Sequence, residues 1–358
     1  MASARSSTSP PATPLARWGA TLHHYFLPIL ATVYVLAGLA PGPGAAIREY
    51  PIPLIAGHET HAPMLLVALL LFCAAAVIDL GQIREVVERP SVLLGALLSG
   101  WLAPALAVAL LGVLLPRLFE TASTSGLLVG LALVAAMPVA NSAAGWTQNA
   151  GGNVALALGL IVLSILISPL ATPQMLNVMG FALSESETAQ IERVVAEFSG
   201  WKFIVWVILP SLAGALVAWL AGRERIARLK PIIRLTTLVD ILVLNYANGS
   251  LAARQIWQEE QWATLAAAVV IGASIAAIGV AVGLVLAKLW RLGRPSRNAL
   301  LFALSMKHTG LALVLAGQVL AEHPRVILVI MMATLLQHVS AGLIDWRLER
   351  RASSTAGT

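Results

Sequence analysis

Runs of about twenty apolar residues recur along the whole chain, and they leave it few ways to fold. A run of that length crosses the hydrocarbon of a bilayer as a helix. Water is absent there, so only helices and closed barrels can span it. Ten such runs are found, at about residues 18–40, 63–82, 92–115, 125–149, 153–172, 201–222, 235–253, 263–287, 298–320 and 325–345. Of the 358 residues, 58% are hydrophobic and 11% charged, against roughly 25% charged in soluble domains. The expected fold is therefore an all-α polytopic membrane protein with ten transmembrane helices. Small residues four apart, Gly126/Gly130 and Gly279/Gly283, predict close helix–helix approach.

The fourth and ninth runs are interrupted by polar residues at their middles. One reads Met137-Pro138-Val139-Ala140-Asn141-Ser142, the other Ser305-Met306-Lys307-His308-Thr309-Gly310. Pro138 and Gly310 mark the breaks themselves, and Gly151-Gly152 ends the first broken run. A helix broken at bilayer depth frees backbone groups that hydrocarbon cannot satisfy, so it persists only where it lines a protected cavity. Two such helices in corresponding positions of two halves point to a transporter's binding site.

The distribution of cations sets the expected topology. With ten spans, sixteen Lys and Arg residues fall on the side of both termini, among them Arg223, Arg225, Arg228, Lys230 and Arg234. Six fall on the other side, and Lys307 lies in neither group. This asymmetry predicts cytoplasmic termini in a plasma (inner) membrane, and it explains the net charge of +6 without nucleic acid. The expected organisation is a disordered tail (1–14), a first five-helix repeat (15–172), an external acidic connector (173–200), a second repeat (201–346) and a cytoplasmic tail (347–358). The connector is either solvated or an amphipathic helix on the outer surface. An odd number of spans per half inverts the second repeat relative to the first.

Three segments carry a family resemblance. MPVANSAAGWTQNAGGNVALALGLIVLSILISPLATP (137–173) resembles the fourth and fifth helices of the bile acid:sodium symporter family. FCAAAVIDLGQIREVVERPSVLLGALLSGWLAPAL (72–106) resembles its second and third helices, and NALLFALSMKHTGLALVLA (298–316) its broken ninth. The resemblance implies a panel domain and a core domain, with the fourth and ninth helices crossing at the centre of the core. It also implies a substrate site between core and panel, alternating access, and two sodium ions behind the crossing. This chain departs from the family pattern at the ion ligands. Ala143 and Ala144 replace a Ser-Asn pair, Ala157 and Ile161 replace hydroxyls, and Ser99 replaces a Gln. Ala303 through His308 replace Glu-x-Gly-x-Gln-Asn, which puts Ala303 where the carboxylate stood and Lys307 where an amide stood. Hard cations need oxygen ligands, so the usual sodium sites are expected to be absent.

Lys307 follows Asn298 by nine residues, roughly 14 Å into a helix at 1.5 Å per residue. A cation at that depth is costly and marks function. It stands in for the charge of sodium, carries a proton through the cycle, or binds an anionic substrate. Asn141, Ser142, His308 and Thr309 lie where half-helix N-termini present partial positive charge. Asn141 and Thr309 contact substrate or cap the broken helices. His308 titrates or, as a neutral ring, satisfies a freed carbonyl. In the seventh run, Asp240 and Asn245, with Tyr246 and Asn248, form a polar stripe. Asp240 pairs with a core cation, carries protons, or is wetted from the cytoplasm.

Other polar features point to less. Cys73, the single cysteine, reads as a buried structural thiol. Asp79 and Asp345 read as interfacial. His58-Glu59-Thr60-His61 has metal-like spacing without a fuller ligand set, so no metal and no cofactor are expected. Asn248-Gly249-Ser250 matches a glycosylation pattern inside a span and is discounted. The expected activity is secondary transport of small organic anions, proton-coupled or uncoupled, with the bilayer, and protons in the coupled case, as the other partners. No protein partner is expected. The alternatives are a sodium symporter with non-standard ligands, a ligand-binding membrane sensor, and a membrane enzyme. The enzyme would need a nucleophile–base or metal constellation, and the sequence offers none.

Overall fold

A computed structural model describes residues 25–53, 59–77, 90–118, 126–198, 204–259 and 262–356. The protein is an all-α membrane protein whose only sheet among the described residues is a two-stranded ribbon. Helix α1 (Phe26–Leu39) turns by 93° at Ala40 into the short α2 (Pro41–Glu49). Pro41 at the first turn of α2 costs no hydrogen bond there, and the Tyr246 hydroxyl donates to the Ala40 carbonyl at 2.6 Å, fixing the bend. Strands β1 (Pro51–Pro53) and β2 (Glu59–His61) pair antiparallel and lead into α3 (Ala62–Ala76).

Helix α4 (Pro90–Leu118) precedes the first broken pair, α5 (Leu127–Ala136) and α6 (Ser142–Asn149). Helices α7 (Val154–Gly180) and α8 (Glu185–Phe198) follow. A π-helical turn, Ile204–Ile208, opens α9 (Leu209–Glu259), and α10 (Trp262–Leu289) comes next. The second broken pair is α11 (Arg294–Ser305) and α12 (Thr309–Val319), and α13 (Pro324–Ala356) completes the fold.

By length and apolar composition, five helical segments among the described residues suffice to cross a membrane, or six if the bent pair α1–α2 counts as one span. Helices α3, α5 and α12 are apolar but shorter. The first expected run ends at Ala40, where the chain bends. The expected spans and the observed helices differ in two places. Helix α7 continues past 172 to Gly180, and most of the expected connector is helical, because Ser184 and Glu187 form a capping box for α8. That helix buries Ile191 and Val194 and presents charge outward, so it is the amphipathic alternative. The basic stretch after 222 is helical too, interrupted only at Gly222, whose φ of 77° and ψ of 161° suit glycine alone.

Gly130, Gly279 and Gly283 allow the expected close approach, whereas Gly126 serves as the N-cap of α5 with φ of 82°. A Cβ on Gly130 would meet the Val326 carbonyl of α13 at 2.7 Å, and one on Gly279 or Gly283 would run into the backbone of α11. Backbones that approach this closely replace side-chain packing with main-chain dispersion contacts. Helix α5 and most of α11 lie inside the protein. Every residue of α5 is buried, as is all of α11 from Asn298 onward. Asn248 and Ser250 are likewise buried within α9. The 1–14 tail, His58 and Asp79 lie outside the described residues.

Candidate functional site at the crossing of two broken helices

Between α5 and α6 the backbone is extended at Val139, and between α11 and α12 it is extended at Lys307. The two extended pieces lie antiparallel, with Val139 opposite Lys307. The Ala140 N–H donates to the Met306 carbonyl at 3.0 Å and the His308 N–H to the Pro138 carbonyl at 2.9 Å. Each break therefore satisfies backbone groups that the other has freed, which is what broken helices at this depth require.

The remaining backbone groups find side chains. At the C-terminal end of α5 the Ala136 carbonyl accepts from Trp101 Nε1 and from Thr172 Oγ1, both at 2.9 Å. The Val139 N–H donates to Ser164 Oγ at 3.0 Å. On the other break, the Lys307 N–H donates to Gln337 Oε1 at 2.9 Å, and Gln337 Nε2 donates to Thr309 Oγ1 at 3.3 Å. Gln337 of α13 thus bridges the gap from one side to the other. His308 accepts the Leu311 N–H on Nδ1 at 3.2 Å and caps α12. The expected role is altered in one respect: the ring satisfies a freed N–H, not a freed carbonyl.

Lys307 is 2% exposed. Its Nζ donates to the Gly100 carbonyl at 2.6 Å and to the Met137 carbonyl at 3.3 Å. Both carbonyls are available for a structural reason. Gly100 would normally accept from the residue four positions on, which is Pro104 and has no N–H. Met137 is the C-cap of α5, where carbonyls go unpaired and the helix dipole is negative. No ion pair joins Lys307 to a carboxylate among the described residues. The Nζ therefore sits where a cation would be coordinated by backbone oxygen.

The positions at which the resemblance expects ion ligands carry small or apolar side chains. Ala143, Ala157 and Ala303 are fully buried, Ile161 is 2% exposed, and all four belong to one apolar core. Ala144 and Ser99 are half-buried. None of these side chains supplies an oxygen except Ser99, which precedes the carbonyl that Lys307 already occupies.

Asn141 and Ser142 begin α6 at the break. Asn141 makes no capping bond, and both polar atoms of its amide are buried without a partner. An unmade hydrogen bond of this kind costs about 1–3 kcal/mol, which makes it the conspicuous polar group of the site. Gly310 lies against Leu244 of α9 and Leu70 of α3, so these two helices abut the second break. Gly151, with φ of 59°, turns the chain after α6, and Gly152 donates to the Thr147 carbonyl at 2.8 Å.

Asp240 lies one turn before Leu244 and is 4% exposed, with neither carboxylate oxygen hydrogen-bonded. It is near enough to Cys73 of α3 to act on it electrostatically, and no ion pair connects it to Lys307. Asn245 is engaged elsewhere: it accepts from the Tyr34 hydroxyl at 2.6 Å and donates to the Ile241 carbonyl at 2.7 Å. The structure thus gathers Pro138, Asn141, Ser142, Lys307, His308, Thr309 and Gly310 at the crossing. Asp240 flanks that group, and Asn245 is committed to packing between α1 and α9. Among the described residues no three His, Cys, Asp or Glu side chains converge as a metal site would need.

Four side chains that hold the crossing were not singled out from sequence: Trp101, Ser164, Thr172 and Gln337. Each is a hydrogen-bonding residue within an apolar run, and that was the available signal. Pro104, four residues after Gly100, was the signal for the freed carbonyl.

The sequence profile of the SBF-like CPA transporter family matches residues 24–349, which includes the whole crossing. No curated protein matches the chain.

Proposed function

The chain belongs to the SBF-like CPA transporter family, and from that premise we propose that it is a secondary transporter of small organic anions, working by alternating access without sodium at the usual sites. The observation that carries this reading is Lys307 Nζ on the Gly100 and Met137 carbonyls. A cation supplied by the chain rests on two backbone carbonyls, and the positions matching the family's ion ligands are held by Ala143, Ala144, Ala157, Ile161 and Ala303. A fixed charge in that place holds the two broken helices together through the whole cycle, which leaves no role for an ion that binds and leaves.

In the same reading the ten apolar runs are ten spans in two inverted five-helix repeats. The antiparallel pairing of Val139 with Lys307 supports it, since an inverted repeat brings its two broken helices together in opposite directions. More Lys and Arg on the side of the termini supports a cytoplasmic location for both ends. The substrate's anionic group meets the N-terminal ends of α6 and α12, where helix dipoles are positive. The unpartnered Asn141 amide and Thr309 Oγ1 supply polar contacts. The mixed apolar and polar surroundings suit bile acids, keto acids, pantoate-like acids or sulfonated anions.

Purified protein in proteoliposomes tests this. Uptake of a radiolabelled panel of these anions is measured with sodium or choline as the external cation. Uptake of at least one anion, equal in both cations, is expected. Strict dependence on sodium overturns the ion-independent reading, and absence of both uptake and exchange for every anion overturns the carrier reading.

A further inference from the structure

The helix that follows the Gly222 break carries a cluster of cations with little compensation among the described residues. Residues 223–234 read RERIARLKPIIR, with five Lys or Arg and one Glu. They begin where the apolar segment Ile204–Gly222 ends, so they start at the membrane surface. Positions 225, 228, 229 and 232 follow an i, i+3, i+4, i+7 spacing and share one helix face. That face presents Arg225 and Arg228 beside Leu229 and Ile232. All four are exposed, Leu229 and Ile232 by 45% and 46%.

The compensation within the protein is small. Arg228 reaches Glu224 at 4.0 Å, with both side chains more than four-fifths exposed, and a pair so open to solvent is weak. Arg225 has no ion pair among the described residues. Burial, and then the charge of Arg234, pull the Lys230 pKa below the usual lysine range. One turn before the break, Trp219 is 70% exposed, a position that aromatic residues favour at the boundary between hydrocarbon and headgroups.

A face that alternates guanidinium with aliphatic side chains at the membrane surface matches the phosphate and the first methylenes of a phospholipid. We propose that Arg225 and Arg228 bind the headgroup phosphate of an anionic phospholipid of the adjacent leaflet, with Leu229 and Ile232 against its glycerol and upper acyl chain. Arginine suits this because its planar fork engages phosphate oxygens in pairs. Gly222 is needed for the geometry, since its backbone conformation sets the direction of the basic helix relative to the span.

The test is retention of added lipid by the full-length protein in detergent, measured by native mass spectrometry. Phosphatidylglycerol is compared with phosphatidylcholine of the same acyl chains, and inorganic phosphate is the free-anion competitor. Phosphatidylglycerol is expected to be retained in preference, and Arg225→Gln/Arg228→Gln to weaken it roughly 30-fold, with phosphatidylcholine unaffected. If the double variant fails to fold, each single Gln variant should weaken it roughly fivefold. Arg350→Gln, a cation elsewhere that rests on the Trp346 ring at 4.0 Å, should leave it unchanged. Equal retention of the two lipids, undiminished binding by the Gln variants, an equal loss with Arg350→Gln, or full displacement by inorganic phosphate would each overturn the proposal.

Discussion

The first break draws its hydrogen-bond partners from neighbouring helices, whereas the second brings two of its own. At the first, Trp101 and Thr172 serve the Ala136 carbonyl and Ser164 serves the Val139 amide. Asn141, the polar residue of that break, is left without a partner. At the second, His308 caps its own helix and Lys307 reaches across to the carbonyls of Gly100 and Met137. Only Gln337 comes from outside to bridge the gap. One break thus holds a free polar group and the other holds none, which divides the labour. The second break fastens the crossing, and under the proposed function the first offers its amide to the substrate.

The largest test of that division is Lys307. In Lys307→Ala two buried carbonyls lose their donor and the aliphatic stem leaves a cavity. Stability should fall by about 2–4 kcal/mol, read as a lowered thermal midpoint in detergent. Lys307→Met fills most of the volume and should recover part of the loss. If Lys307→Ala unfolds at the wild-type midpoint, the second break does not fasten the crossing.

Gln337→Leu removes the bridge from the Lys307 amide to Thr309. The cost is expected at about 1–3 kcal/mol for a buried amide left unpaired, visible as faster hydrogen exchange at Lys307 and Thr309. His308→Ala removes one cap and should cost about 1 kcal/mol, by the same thermal measurement. His308→Asn, which also caps, should restore most of it.

Asn141→Ala is the smallest in stability and sharpens the contrast most. Its amide makes no internal bond, so the midpoint should hold within about 0.5 kcal/mol or rise slightly. Uptake of the transported anion should drop about tenfold if the amide contributes one hydrogen bond to it. A large loss of stability would show that the first break also depends on its own polar residue.

The membrane fold and the location of the crossing were legible from the chain alone. Apolar runs of bilayer length have one solution in hydrocarbon, the helix, and polar interruptions at Pro138 and Lys307 could only be tolerated at a shared, protected place. The family resemblance read from 72–106, 137–173 and 298–316 agrees with the match over 24–349. The bend at Ala40 is marked by Pro41, but the Tyr246 hydroxyl that fixes it was not legible, because it lies far away in sequence.

What sequence determined, then, was that Lys307 lies deep among apolar residues and needs partners. It did not determine which. Pro104 marks the Gly100 carbonyl as free, but a list of side chains does not show which cation it meets; the carbonyls of Gly100 and Met137 became acceptors for Lys307 only when packing brought them within reach of Nζ. Tertiary structure alone also separated Asn245, bonded to Tyr34, from Asn141, bonded to nothing. Two asparagines that are chemically the same differ because hydrogen-bonding capacity belongs to the residue, while its satisfaction belongs to the neighbours that folding supplies.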